Sequence, residues 1–370
     1  MTFMILHPLS TQIVGSYAKP QWLARHQKMR ALDGSWWRPE PEVLQEAKRD
    51  AVRLAIYEQE RAGIDIVTDG EAQRAAWDRD FFGALSGVDI EHTEVAVVAA
   101  EEHHHHHRDE TGWEEYSEIG RVKPIVTGPL QFQRSVATNE VLFAKSVARQ
   151  PLKVAMAGPL SLSQQLVDRH YGDEEALILA LAAALNMEMR ALQAAGADIL
   201  QIDEGSWHFD VDLARRVGQR AIARMVEGIT VPTIVHVCYG YSIVYKEKSP
   251  SALYPEVLQL LSDCPVTGIS LEYEQPSHTP DILSHCGNKH VLIGLLNLGD
   301  HEVESADHVA SRLRAAFDVV PAERLHPCSD CGMWFLPRDV AYGKIKALVE
   351  GTRKARNHVE KTFTNVGALA

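Results

Sequence analysis

Strand-length apolar runs alternate with amphipathic helical patterns along nearly the whole of this 370-residue chain, and few architectures accept that many repeats. The runs fall at 11–16, 64–68, 153–157, 198–202, 232–236, 267–271, 290–295 and 324–328. Helical patterns occupy 41–62, 174–195, 210–227, 254–262, 305–317 and 338–351. The first of these carries the stripe Val43, Leu44, Ala47, Ala51, Leu54 and Ala55 and stops at Gly63, as Gly196 stops the second; glycine suits the position just past a helix end. Eight βα units predict an α/β fold, a (β/α)8 TIM barrel built as a single catalytic domain over residues 1–370. Such a barrel carries its chemistry at the C-terminal ends of its strands.

Chemically capable residues gather at those ends. The first two runs lead into Val14-Gly-Ser-Tyr and Thr68-Asp-Gly-Glu, the next two into Ala157-Gly-Pro-Leu-Ser and Gln201-Ile-Asp-Glu-Gly-Ser. The fifth run ends in His236-Val-Cys, the sixth in Glu272, and the eighth precedes Cys331. Residues i and i+2 of a strand share a face, so His236 and Cys238 can reach one ion. Imidazole, thiolate and carboxylate together suit tetrahedral Zn²⁺, and the carboxylate is the ligand most ready to yield to an incoming one. A lone cysteine is ordinarily a small buried hydrophobe. It is the shared placement at strand ends that favours one zinc per chain, held by His236, Cys238, Glu272 and Cys331. Cys328 makes a C-x-x-C pair with Cys331, but no second pair follows, and it is read as a neighbour.

Composition narrows the partners. A formal net charge of −13 argues against nucleic acid or an anionic membrane surface. Five cysteines, an odd number in a long chain, suit a reducing cytoplasm in which thiolates stay free for metal. The N-terminal Met1-Thr-Phe-Met-Ile-Leu-His-Pro lacks the basic region of a signal peptide, and the apolar stretch 176–189 is too short to span a bilayer. A polar segment, about 89–150, interrupts the repeat between strands two and three and contains the run His103 to His107. Five consecutive histidines cannot all face one ion, so the segment is expected to be an exposed excursion, suited to serve as a lid or subunit contact.

Together these motifs resemble the cobalamin-independent methionine synthases, in a short form corresponding to their C-terminal catalytic barrel. The resemblance runs over roughly residues 10–355. It rests on Val14-Gly-Ser, Gly63-Ile-Asp-Ile-Val-Thr-Asp-Gly-Glu, Gly196-Ala-Asp-Ile-Leu-Gln-Ile-Asp-Glu, His236-Val-Cys-Tyr-Gly, Leu271-Glu and Asp330-Cys-Gly-Met. It implies the same four zinc ligands, and that Gly15, Ser16, Glu71 and Asp203 hold the amino-acid part of a homocysteine-like thiol. Gly158 and Pro159 would lie beside the methyl-donor site, the donor being a methyl-folate, methylcobalamin, or a corrinoid or other methyl-donor protein. A homo-oligomer is compatible with it.

The chain departs from the family pattern in three places. Gly205-Ser-Trp-His replaces an expected proline after Ile202-Asp-Glu. Asn297 stands where aspartate is common, and His301 is the nearest candidate for the family's proton-donating histidine but is displaced. Zinc-dependent methyl transfer to homocysteine is the first reading. A second is zinc-dependent epoxide opening on coenzyme M, as in epoxyalkane:coenzyme M transferases, for which Arg74, Lys246 or Lys248 would receive the sulfonate. A third is a non-catalytic zinc-binding protein. The related porphyrin decarboxylases work without metal and are disfavoured by the ligand set.

Overall fold

A computed structural model describes residues 6–25, 35–95, 122–240 and 248–367. The run His103 to His107 and Lys246 lie outside the described residues. Strands in chain order are β1 (Leu85–Val95), β2 (Val122–Phe132), β3 (Lys153–Ala157), β4 (Val167–Asp168), β5 (Ile199–Asp203), β6 (Thr233–Val237), β7 (Gly268–Leu271), β8 (His290–Gly294) and β9 (Leu325–Cys328). Six of them form one parallel sheet in the order β3-β5-β6-β7-β8-β9. Helices Glu174–Ala194, Tyr254–Ser262, Ala306–Ala316 and Arg338–Gly367 alternate with its strands. Between β5 and β6 the expected single helix is broken by a π turn, Ala214–Gly218, between Val211–Leu213 and Gln219–Met225. Both expected helix-ending glycines are in the left-handed region, Gly63 at φ +92° and Gly196 at φ +101°.

The first two predicted strands do not form regular ladders. They meet through single parallel bridges, Gln12 with Ile66 and Ser16 with Gly70, while Val67 bridges Leu152 ahead of β3. On the other side the Leu9 and Gln12 N–H groups donate to Leu325 and Pro327 carbonyls of β9, at 3.0 and 3.1 Å. Side chains intercept the remaining backbone groups: Thr11 N–H donates to Asp65 and Thr68 N–H to Gln59. Pro327 has no N–H to return. Local side-chain bonds of this kind compete with sheet pairing.

Where a polar excursion is expected, the described residues of the 89–150 segment form regular elements. β1 and β2 form an antiparallel hairpin with two register shifts, extended by the short parallel strand β4. Thr138–Val147 then forms a helix before β3. Pro124 and Pro129 within β2 hid the strand, because proline ordinarily argues against one.

Two apolar layers result. The larger lies between sheet and helices; a smaller one joins Val14, Ile66, Ile199, Ile234, Leu292 and Cys328 on the opposite face of the strands. This second layer explains Cys328, which packs rather than reaching the other cysteines. At the N-terminal end of β9, fully buried His326 contacts Ser10 Oγ through Nδ1 at 2.8 Å and His290 Nδ1 through Nε2 at 2.9 Å. Burial, with the neighbouring His290, pushes the His326 pKa down to about 3.

The unfolded chain protonates this histidine near its ordinary pKa of about 6.5, whereas the folded chain does so only near the lowered value. The stabilisation is therefore complete above pH 6.5 or so and is lost as pH falls from there toward 3, with a limiting slope of about 1.4 kcal/mol per pH unit. Urea unfolding followed from pH 8 to pH 4 should show this loss in the native protein and a shallower one in His326→Gln. Parallel pH profiles for the two proteins would refute the assignment.

Candidate metal centre and substrate cavity

The strand register puts the candidate groups in one row. Ala157, Asp203, His236 and Ser270 are successive lateral partners across β3, β5, β6 and β7. Cys238 lies two residues past His236, and Cys331 follows β9. The ligating atoms of His236, Cys238 and Cys331 lie within 4.8 Å of one another, the one such group among the described residues. His236 Nδ1 contacts Ser270 Oγ at 3.0 Å, while its Nε2 is buried without a hydrogen-bond partner. A ring held at one nitrogen and bare at the other beside two sulfurs fits a metal, since the second ring nitrogen orients a ligating histidine.

The two sulfurs are shifted in opposite directions. A hydrogen bond from Cys331 holds the Cys238 thiol well below its ordinary pKa, with His236 and the Lys248 ammonium adding to the effect. That same bond, followed by burial, pushes Cys331 well up. The remaining cysteines behave as packing residues: burial raises Cys264 and Cys286 to about 12, and Cys328 also upward.

Glu272 lies outside this three-residue group. Its carboxylate is fully buried and accepts two hydrogen bonds from Lys248 Nζ, at 2.7 and 2.9 Å. Lys248 also donates to the Gly240 carbonyl, at 2.6 Å. Burial alone would lower the Lys248 pKa; the Glu272 charge and then the two cysteines outweigh it and hold it up.

Ser329 and Asp330 fix the Cys331 turn. Ser329 Oγ accepts from Val14 N–H and donates to the Cys331 carbonyl. Asp330 accepts from the N–H groups of Tyr273, Glu274 and Gln275 at 3.3, 3.1 and 2.6 Å, which ties the turn to the chain just past Glu272. Asp330 heads the Asp330-Cys-Gly-Met motif but was given no role of its own, and Ser329 was not singled out, although both lie within two positions of Cys331.

A cavity of about 290 Å³ opens on the metal group and is lined by Ser16, Glu71 and Asp203 as well as His236, Cys238 and Cys331. Ser16 Oγ is buried there without a partner. Glu71 has φ +52°, and burial raises its pKa to about 7, opposed by Arg74 and reinforced by the nearby Asp203 charge. Burial raises Asp203 also. Gly15 makes room: a Cβ there would lie 2.4 Å from Glu71 Oε1. Gly158 does the same for Glu204, whose carboxylate accepts from Leu160 N–H and from Ser161 at the start of helix Pro159–Ser163. Ala157, Ser161, Leu162 and Gln165, rather than Gly158 and Pro159 themselves, line the cavity. Trp36, Trp77 and Trp334 complete its wall, a feature that no spacing in the sequence announces.

His301 is not brought to this group. Asn297, Asp300 and Glu304 bond within their own loop, through Asn297 N–H to Glu304 and Asn297 Nδ2 to Asp300. His301 itself is exposed and lines a neighbouring cavity of about 710 Å³ beside Trp22 and Arg338, which shares Lys19 with the first.

A parallel α/β fold with an imidazole and two sulfurs gathered past its strand ends defines a candidate metal-dependent transferase. The catalytic-domain model of the cobalamin-independent synthases matches residues 9–354, and the chain belongs to that family, whose members are methyltransferases. The methionine synthase of Sulfolobus acidocaldarius is 29% identical over 363 residues, covering 96% of this chain and 95% of its own. That of Pyrococcus abyssi is also 29% identical, with 97% and 96% covered. Among solved structures, a B12-independent methionine synthase from Shewanella sp. W3-18-1, in complex with selenomethionine, is 32% identical with a TM-score of 0.82, covering 96% of this chain and 99% of that one. A putative vitamin-B12 independent methionine synthase from Listeria monocytogenes, 19% identical with a TM-score of 0.70 over 94% of this chain and 98% of its own, shares the fold.

With the His103–His107 run replaced by a Gly/Ser linker, elemental analysis should still find one zinc per chain. Cys238→Ser or Cys331→Ser should abolish it, whereas Cys264→Ser, Cys286→Ser and Cys328→Ser should keep it. Ser270→Ala should lower zinc affinity by about 10–100-fold, the usual effect of removing an orienting partner. Retention of full zinc by either Cys238→Ser or Cys331→Ser would sink the site.

Proposed function

We propose that this protein transfers a methyl group to the sulfur of homocysteine, giving methionine, at a zinc ion held by His236, Cys238 and Cys331 with Glu272 as an exchangeable fourth ligand. The observation that carries the reading is the buried, unpartnered His236 Nε2 beside two sulfurs, opening on a cavity that also holds two carboxylates. Zinc bound there supplies the Lewis acidity that lets a substrate thiol lose its proton and act as a nucleophile near neutral pH. The bridges at 12–66, 16–70 and 67–152, with the bonds from Leu9 and Gln12 to β9, support a closed (β/α)8 barrel as the scaffold, one catalytic domain with the β1–β2 excursion inserted.

Within the cavity Glu71 and Asp203 would receive the substrate's α-ammonium. The Asp203 charge raises the cost of ionising Glu71, and a cation placed between the two carboxylates relieves it. Ser16 Oγ is available to the amino-acid head, and Gly15 keeps Glu71 in reach of it. The selenomethionine held by the Shewanella relative stands in for methionine, with selenium replacing sulfur, and supports a cavity sized for that amino acid. Ser161, Leu162 and Gln165, which line the cavity next to Gly158 and Pro159, would lie beside the methyl donor; methyl-folate and methylcobalamin, free or on a corrinoid protein, are the candidates. His301, exposed in another cavity, receives no role in this scheme.

Epoxide opening on coenzyme M is the weaker reading because the two described candidate cations each pair with a carboxylate. Arg74 pairs with Glu140 at 2.8 Å and with Asp69 at 3.7 Å, and Lys248 with Glu272. A sulfonate would meet Glu71 and Asp203 instead. Storage of zinc alone gives those two carboxylates no purpose. Five free cysteines, two of them proposed ligands, favour a reducing, cytoplasmic setting. No helix among the described residues is long and apolar enough to cross a membrane.

Glu71→Gln and Asp203→Asn should each weaken homocysteine binding at least thirtyfold or so, as expected when a buried charge-assisted contact of about 2–5 kcal/mol is lost. Zinc content should not change. A thiol-consumption assay pairing homocysteine or coenzyme M with methyl-folate, methylcobalamin and epoxypropane checks the reading directly. Alkylation of coenzyme M alone, insensitive to both substitutions, would replace it with the epoxide-opening one.

A further inference from the structure

We propose that Lys248 is a latch for Glu272: it receives this carboxylate when the substrate thiol takes the fourth position on the metal. The inference rests on the zinc reading above and concerns how that fourth position is vacated. The Lys248 side chain is 1% exposed and that of Glu272 0%. Its ammonium has three acceptors, both Glu272 oxygens at 2.7 and 2.9 Å and the Gly240 carbonyl at 2.6 Å, one for each N–H. Lys248 therefore has no donor left for substrate. It links the chain two residues past Cys238 to the end of β7, so it spans the two segments between which a metal ligand would have to move.

Charge makes the latch necessary. Zn²⁺ and two cysteine thiolates sum to zero beside a neutral imidazole. A fourth anionic ligand, carboxylate or substrate thiolate, brings the centre to −1, and both together to −2 in a buried site. Expelling Glu272 with no cation to meet it would leave a buried charge without compensation, which is strongly unfavourable. Lys248 removes that obstacle because ammonium and carboxylate cancel at contact distance. Were zinc held by His236, Cys238 and Cys331, Lys248 would keep the displaced Glu272 carboxylate through these same two contacts, and the proton of the incoming thiol would pass to water.

The test measures zinc and thiol binding rather than turnover. Lys248→Met should still bind one zinc, but hold it about tenfold or more tightly against a competing chelator, since Glu272 then has no other cation; that is the scale on which outer contacts tune metal sites. Homocysteine should bind about tenfold more weakly to it. At the zinc X-ray absorption edge, saturating homocysteine should add a third sulfur in the native protein and a smaller fraction in the variant. Lys248→Arg should resemble the native protein, and in a Glu272→Gln background Lys248→Met should change neither affinity. If Lys248→Met does not fold, Glu272→Gln alone decides: it should lose zinc affinity without losing homocysteine affinity, and a fall in both overturns the latch. Unchanged or weaker zinc binding in folded Lys248→Met overturns it too while leaving the zinc site standing. Failure of the native protein to bind zinc overturns both.

Discussion

One buried carboxylate organises the site although it is not among the proposed metal ligands. Asp330 accepts three successive N–H groups, those of Tyr273, Glu274 and Gln275, from the segment leaving β7. It thereby fixes the residue before Cys331 against the residue after Glu272, and two sequence-distant candidate ligands inherit their relative position from it. Burial raises its pKa to about 6, and the backbone donors oppose that rise. A carboxylate so placed costs stability through desolvation and is offset by the donors it gathers. The arrangement resembles a helix cap transposed to a sheet end, in which otherwise unpaired N–H groups meet one acceptor.

From that anchor the remaining pieces follow by register. The lateral row Ala157, Asp203, His236, Ser270 is a consequence of parallel pairing among β3, β5, β6 and β7, which aligns strand ends. Ser270 then stands beside His236 and engages its Nδ1, and the alternation of side chains places Cys238 on the face that His236 already occupies. Depressed Cys238 and elevated Cys331 are the electrostatic result of bringing two sulfurs together under one imidazole and one ammonium.

Much of this was legible in the sequence, for identifiable reasons. The six strands of the parallel sheet are apolar runs whose burial leaves little choice of partner, and Gly63 and Gly196 end their helices at positive φ as expected. His236, Cys238 and Cys331 come together because spacing within a strand and position past a strand end are both sequence properties. Less was legible where side chains compete with the backbone. Thr11, Asp65, Gln59 and Thr68 replace ladder bonds in the first two strands, and prolines conceal β2. Lys248 was visible only as a cation near the mouth; that it grips Glu272 depends on a tertiary contact across 24 residues. His301 is exposed and lines the cavity beside Trp22 and Arg338, a placement that proximity in sequence to a strand end does not reveal.

Three of the acidic groups share a property with a practical consequence. Glu71, Glu204 and Asp330 each press against a glycine, with 2.4, 2.3 and 2.1 Å between their side chains and the point where a Cβ would sit on Gly15, Gly158 and Gly294. The carboxylates are seated in notches that only a hydrogen can line. A methyl group added to any of these glycines evicts an acid from its seat, so the smallest possible mutation acts at a distance as the deletion of a charge. A search for essential residues in this protein would find glycines that perform no chemistry and yet score like acids.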